Sequence, residues 1–276
     1  MIYVPQGFRP HIKVDYPPNN HLIFEEWFYK VYATECESER EYLPIFWTSY
    51  YVNNNYGNDK RALKLLQDFI DGLDKSKKYF TIVQYDDGIL NDLSGLDIKI
   101  FGMGGGNHDY PLPLICQPHP YSFTTNKDVF CNFMGALSHP IRKTLLPYAK
   151  KAGYLVSTSP IPIESYCLNL LRSVFTLAPR GYGVTSFRLM EAVQFGSVPV
   201  YISDKPMLPH NEPFDYGVLI DPEQIPHIDK ILRSISMEEI AYKQKRLAEV
   251  WEMFTYEGCK NRILKHLYWH GMNHRP

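Results

Sequence analysis

One short stretch of the chain concentrates the side chains that can hold a charged ligand. It runs Pro179-Arg180-Gly181-Tyr182-Gly183-Val184-Thr185-Ser186-Phe187-Arg188 and on to Glu191. A strand pattern leads into it and a helix pattern leaves it. Backbone N–H groups at a helix N-terminus, together with the macrodipole, favour an anion. Gly181 and Gly183 let the backbone come close to that anion, and Thr185 or Ser186 caps the helix. Arg180 and Arg188 add two planar guanidiniums that bind phosphate oxygens bidentately, so the pair matches a pyrophosphate. Glu191, one turn beyond Arg188, is open to two readings. It either accepts both hydroxyls of a ribose, as an acidic residue does in dinucleotide-binding folds, or pairs with Arg188 on the surface. Tyr182 either stacks on a base or sugar or packs.

Two other loops carry unusual residues: Tyr85-Asp86-Asp87-Gly88, and Gly102-Met103-Gly104-Gly105-Gly106-Asn107-His108-Asp109. The glycine run is not a dinucleotide fingerprint, because its last required glycine falls on Asn107 and no helix pattern follows. It reads as a loop with positive φ angles or as one that closes on substrate. His108, His119 and His139 lack i+4 or Cys partners, so no metal site is expected. Gly181-Tyr182-Gly183 is not a Walker loop, and Asp-x-Asp occurs nowhere.

These loops need elements to position them. A helix pattern at 21–33 and the apolar run 42–47 stand out of a Tyr-, Pro- and Asn-rich start. Then follow a helix at 62–73 and strands at 79–84, 98–101 and 112–117. The second half reads strand 129–134, helix 141–152, strand 154–157, helix 164–172, strand 174–178, helix 185–195, and strands 198–202 and 217–220. Helices at 237–254 and 257–269 close the chain. On the 185–195 helix, Leu189, Ala192, Val193 and Gly196 face the sheet, with Arg188 and Glu191 along the edge. Strands alternating with helices imply parallel sheets in two α/β units, divided near Gly135 to Pro140. Ligands of such folds collect beyond the carboxyl ends of the strands.

Composition excludes several classes. Of 276 residues 45% are hydrophobic and 21% charged, and 29 basic side chains balance 30 acidic ones for a net charge of −1. The chain is too apolar for disorder and too neutral to bind nucleic acid through bulk positive charge. No apolar run reaches the roughly 18 residues of a membrane span. Met1 to Gly7 lacks the basic and apolar regions of a signal peptide, and no Asn-x-Ser/Thr occurs, so a cytoplasmic protein is expected. Five cysteines without a Cys-x-x-Cys include Cys116, Cys131 and Cys167 in apolar stretches, which read as buried thiols.

Ser173 to Gly181, Thr185 to Ala192, Val198 to Asp204 and Leu208-Pro209 resemble the signature of the exostosin family of glycosyltransferases. Phe80 to Gly88, Leu112 to Pro120, and Phe133-Met134-Gly135 with Ile141-Arg142 resemble its earlier segments. The likeness covers roughly residues 40 to 255 and is closest to short, virus-type members without anchor or stem. It implies a glycosyltransferase-B architecture, with two Rossmann-like domains facing across a cleft: an acceptor-binding domain 1–135, a nucleotide-sugar-binding domain 136–250, and a helix at 251–276 packing back on the first. It implies an inverting transfer from a UDP-sugar to a glycan hydroxyl, with no divalent metal or other cofactor. Arg180, Ser186 and Arg188 then hold the diphosphate and Glu191 the ribose, with Gly181, Tyr182 and Thr185 on the same loop. Arg142 either caps its helix or reaches the cleft. Inversion also needs a general base: Asp87 is preferred, then Asp86, then Asp109, although Asp-Asp-Gly also makes a simple turn. UDP-xylose is the leading donor. A catalytically silent nucleotide- or glycan-binding protein is the alternative. Nothing places the carboxylate pair that a glycoside hydrolase requires.

Overall fold

A computed structural model describes residues 1–12, 22–32 and 39–272. Cys36 and the two ends of the expected 21–33 helix lie outside them. The chain divides into two compact units, the first formed by Met1–Leu112 with Tyr256–Pro276 and the second by Pro113–Thr255.

In chain order the first unit contains α1 (Phe24–Tyr32), β1 (Glu41–Tyr42), α2 (Trp47–Asn53), α3 (Lys60–Asp71), β2 (Lys78–Val83), β3 (Asp97–Gly102) and β4 (Tyr110–Pro111). The sheet runs β1-β2-β3-β4, all parallel, with Thr81 opposite Ile100 and Val83 opposite Gly102. Tyr79 to Val83 are all buried, as expected of a strand covered on both faces. On α3, Ala62, Leu66 and Ile70 recur every four residues and form its one buried stripe, packed with Leu43, Trp47 and Val83. The Asp59 carboxylate caps that helix, accepting from the N–H groups of Arg61 and Ala62.

The second unit contains β5 (Val129–Met134), α4 (Pro140–Lys151), β6 (Leu155–Ser157), α5 (Ile163–Arg172), β7 (Ser173–Pro179), α6 (Phe187–Gln194), β8 (Val198–Ile202), β9 (Val218–Ile220), α7 (Ile228–Ser234) and α8 (Met237–Val250). Its sheet is also wholly parallel, in the order β6-β5-β7-β8-β9. The last helix, α9 (Tyr256–Met272), is grouped with the first unit. There the Tyr256 hydroxyl donates to the Leu22 carbonyl at 2.7 Å, and its ring meets Phe24 edge-on. The α/β class and the pair of parallel-sheet, Rossmann-like units are those the alternation predicts.

Three expectations are corrected. The apolar run 112–117 is not a strand: pairing stops at Pro111, and the segment to Pro120 is irregular, though Leu112, Ile115 and Cys116 are buried. Prolines at 111, 113, 118 and 120 have no N–H to give a ladder. The unit boundary accordingly falls at 112/113 rather than 135/136, because β5 pairs only within the second sheet and the stretch before it lies along α6. There the Cys116 N–H donates to the Met190 sulfur, and the His119 backbone exchanges two bonds with the Gln194 amide. The C-terminal division falls between Thr255 and Tyr256, not after residue 250.

Candidate functional site

The strand order of the second unit singles out one place for a ligand. From β5 the chain moves through α4 to β6 on one side, whereas β7 lies on the other side of β5 and continues through α6 to β8. Connections thus leave β5 and β7 in opposite directions, and the crevice outside their carboxyl ends is the switch point where open parallel sheets hold ligands. Both flanking loops end in a helix N-terminus. His139 caps α4 by accepting from the Ile141 N–H, and Ser186 caps α6 by accepting from the Arg188 N–H. Burial, and then the neighbouring Arg180, lower the His139 pKa, which suits an imidazole that accepts.

Three guanidiniums converge on these loops, each differently employed. Arg188 donates from Nε to the Met134 carbonyl at the end of β5 and lies over the Phe133 ring. It occupies the space that a side chain at residue 135 would need: a Cβ on Gly135 would stand 1.6 Å from Nη2, and that glycine has φ +154. Arg142 is buried, with its guanidinium between the loops that follow β5 and β7. It donates to the carbonyls of Ala136, Pro179 and Arg180, tying the two loops together. Burial, and secondarily the charge of Arg188, push its pKa down to about 10, so it stays a cation at neutral pH. Arg180 folds under its own loop, donating to the carbonyls of Tyr182 and Gly183 and to Asp204 at 2.5 Å. That contact holds the Asp204 carboxyl below its ordinary range. Among the described residues, Arg142 and Arg188 are bonded to carbonyls and to no carboxylate. Two like charges left without counter-ions at two helix N-termini form an electropositive site suited to an oxyanion.

The remaining residues of this loop differ in exposure. Thr185 and Ser186 are buried, a Cβ on Gly181 would stand 3.2 Å from Arg142 Nη2, and Tyr182 is 66% exposed. The loop is pinned from β8 by the Tyr201 and Ser203 hydroxyls, both donating to the Val184 carbonyl. Glu191 is neither on the surface nor paired with Arg188. It is fully buried and is contacted by the Tyr166 hydroxyl at 2.6 Å and His119 Nε2 at 2.9 Å. The buried band of α6 is therefore wider than its periodicity implies, running unbroken from Leu189 to Val193, because the 113–120 segment covers the edge that holds Glu191.

In the first unit, Asp86 and Asp87 form a turn separated by two residues from the end of β2, with Gly88 at φ +73. The glycine run packs on that turn: Gly105 N–H donates to the Asp86 carbonyl at 2.7 Å, and a Cβ on Gly104 would lie 2.2 Å from the Tyr85 carbonyl oxygen. Close backbone approach, rather than a string of positive φ angles, accounts for these glycines, of which only Gly106 has positive φ. Asp87 is exposed and Asp86 partly so. The Asp109 carboxylate accepts from the Ile100 N–H at 2.7 Å, a sheet-edge contact that occupies it structurally. Among the described residues no three His, Cys, Asp or Glu side chains converge as metal ligands, and no helix is long and apolar enough to cross a membrane. Cys116, Cys131, Cys167 and Cys259 are free, buried thiols.

Tyr166 belongs to this constellation but was not singled out from sequence, where His119 was weighed only as a metal ligand and Gly135 and Asp204 appeared only within the segments that carry the family resemblance. Asp204, two residues past β8, obeys the rule that directs attention to carboxyl ends and could have been found by it.

Comparison with known proteins agrees with the chemistry. Residues 100–235 match the Exostosin GT47 domain. A protein of Oryza sativa subsp. japonica named a probable glucuronosyltransferase is 45% identical over 87 residues, 30% of this chain and 20% of that protein. A probable beta-1,4-xylosyltransferase of Arabidopsis thaliana, IRX10L, is 41% identical over 87 residues, 30% of this chain and 21% of that protein. The matched stretch thus spans about a fifth of the length of these relatives. Among solved structures, TarM aligns with 74% of this chain and 53% of its own at 9% identity and a TM-score of 0.43. The curated relatives matched are named as glycosyltransferases, and residues 100–235 are similar to an Exostosin GT47 domain, in keeping with the resemblance of residues 173–209.

Proposed function

We propose that the chain transfers a sugar from a UDP-sugar to a hydroxyl of a glycan acceptor, inverting the anomeric carbon and using no divalent metal or other cofactor. The observation that carries this reading is the pair Arg142 and Arg188, bonded to carbonyls alone, between two capped helix N-termini at the β5/β7 switch point. In this reading the diphosphate lies across the Gly181–Ser186 loop, against Arg188, Ser186 and Arg180, with Thr185 and Gly181 shaping the loop and the exposed Tyr182 stacking on the base or sugar. Glu191 takes the ribose hydroxyls by exchanging a bond now made by Tyr166 or His119.

The acceptor oxygen attacks the anomeric carbon while the bond to the diphosphate breaks. Negative charge grows on the departing UDP, where fixed guanidiniums and helix N–H groups stabilise it. The acceptor proton passes to a carboxylate of the first unit: Asp87 first, then Asp86, then Asp109. UDP-xylose leads as donor, supported by the xylosyl transfer named for one relative; UDP-glucuronic acid follows from the other.

Calorimetric titration with UDP, UDP-xylose, UDP-glucuronic acid, UDP-glucose, UDP-galactose and UDP-N-acetylglucosamine, each in EDTA and in Mn²⁺, tests the reading. UDP binding in EDTA is expected, with the tightest sugar nucleotide naming the donor. No binding of any of them overturns the donor site, and a strict requirement for Mn²⁺ overturns metal independence. Binding without transfer to any glycan would favour the catalytically silent alternative.

A further inference from the structure

We infer that Tyr56 is a platform on which a ring of the acceptor glycan stacks, an inference that rests on the transferase reading above. The loop between α2 and α3 holds three successive residues in left-handed backbone: Asn55 at φ 53, Tyr56 at φ 53 and Gly57 at φ 76. Asparagine and glycine tolerate that region, whereas a bulky aromatic residue is disfavoured there. Strain of this kind persists only where the surroundings over-determine it, and such positions cluster at ligand sites.

The surroundings here do over-determine it. Gly57 N–H donates to the Asn54 carbonyl at 3.1 Å, and the Asn55 carbonyl accepts from the Asn58 N–H and side-chain amide. The Tyr85 hydroxyl donates to the Tyr56 carbonyl at 3.0 Å, and Gly57 faces Leu90 so closely that a Cβ would lie 2.2 Å from its Cδ1. None of this buries the Tyr56 ring, which stays 65% exposed. The loop therefore fixes an aromatic face in solvent at a set position, where turn chemistry alone would favour Asn, Asp or Gly.

Its position suits a ligand. The loop abuts the segment Tyr85 to Leu90, which leaves the carboxyl end of β2, the side on which open parallel sheets bind. That segment brings Asp86 and Asp87 and no cation. Carboxylates repel a phosphate but accept hydroxyl protons, so the chemistry matches a neutral polyhydroxyl ring with its C–H face on the tyrosine.

The test is saturation-transfer NMR with cellohexaose and xylohexaose, whose rings differ by a hydroxymethyl group, run beside UDP calorimetry on every variant. The native protein, Tyr56→Phe and the control Tyr3→Ala, which alters another exposed tyrosine of the same unit, are expected to saturate the ring hydrogens of at least one oligosaccharide. Tyr56→Ala is expected to weaken that binding at least tenfold with UDP affinity unchanged. Tyr56→Gly, which relieves the left-handed strain, should raise the melting temperature and still lose the sugar, separating the platform from folding. Equal sugar binding by native protein, Tyr56→Ala and Tyr56→Gly overturns the inference, as does absence of transfer to both oligosaccharides from the native protein. Failure of UDP to bind overturns the donor reading instead and is read on the separate calorimetric arm.

Discussion

Arg188 and Gly135 are a matched pair, and each predicts the behaviour of the other. Arg188→Ala removes a cation from the proposed diphosphate site and is expected to weaken UDP binding by roughly 1.5–3 kcal/mol, the scale of a hydrogen bond to a charged group. Gly135→Ala should cost a similar amount, because the added methyl occupies the place of the Arg188 guanidinium, 1.6 Å from Nη2. Since both act through one contact, the double variant should lose little more than either alone when UDP affinity is measured by calorimetry. Additive losses would show that the two residues act separately. Asp87→Asn is a different kind of change. It should leave UDP affinity intact and lower turnover by roughly 100-fold or more, the scale of general base catalysis; undiminished turnover moves the role to Asp86 or Asp109.

At the scale of elements, the packing of the glycine run against the Asp86–Asp87 turn makes a further prediction. A methyl on Gly104 would meet the Tyr85 carbonyl oxygen at 2.2 Å, backbone that cannot yield without moving the turn. Gly104→Ala is therefore expected to depress transfer while UDP titration stays normal. A loss of UDP affinity would contradict the assignment of the turn to the acceptor side. Elements were also where the sequence was most legible. The ranges of β5 and β8 are those the pattern predicts, and most helices fall within a residue or two, because each records a local period and a local cap. The Arg180 to Arg188 loop was legible for the same reason, since strand, turn and helix are contiguous. What was not legible lies far apart along the chain. Glu191 owes its burial to Tyr166 on another helix and to His119 in a proline-rich segment that reads as a strand by hydrophobicity alone. Arg142 likewise finds its carbonyl partners at Pro179 and Arg180, and no spacing rule connects them.

The molecule as a whole carries a buried acid that should make its stability depend on pH. Glu25 is fully buried, and its carboxylate accepts from the Thr48 N–H and hydroxyl and from the Gln84 N–H. Burial nevertheless outweighs these bonds and raises its pKa from 4.5 to about 7. With the folded value above the unfolded one, folding favours the protonated acid. That contribution is complete below about pH 4.5 and is lost as pH rises through about 7. Chemical denaturation across this window should show the native protein losing stability relative to Glu25→Gln, on the order of 3 kcal/mol over the full range. Parallel curves for the two proteins would place the acid's ionisation elsewhere.

The second unit is one uninterrupted stretch of chain, whereas the first is completed by α9. Synthesis therefore delivers the two in an unequal way. Everything the second unit needs has left the ribosome once Thr255 emerges, but the first must wait, with the surface that receives Tyr256 uncovered, while Pro113 to Thr255 is translated. At roughly 5–20 residues per second that wait is on the order of 10 s. During it the aromatic face around Phe24 is open to chaperones and to neighbouring nascent chains, until α9 is made and covers it.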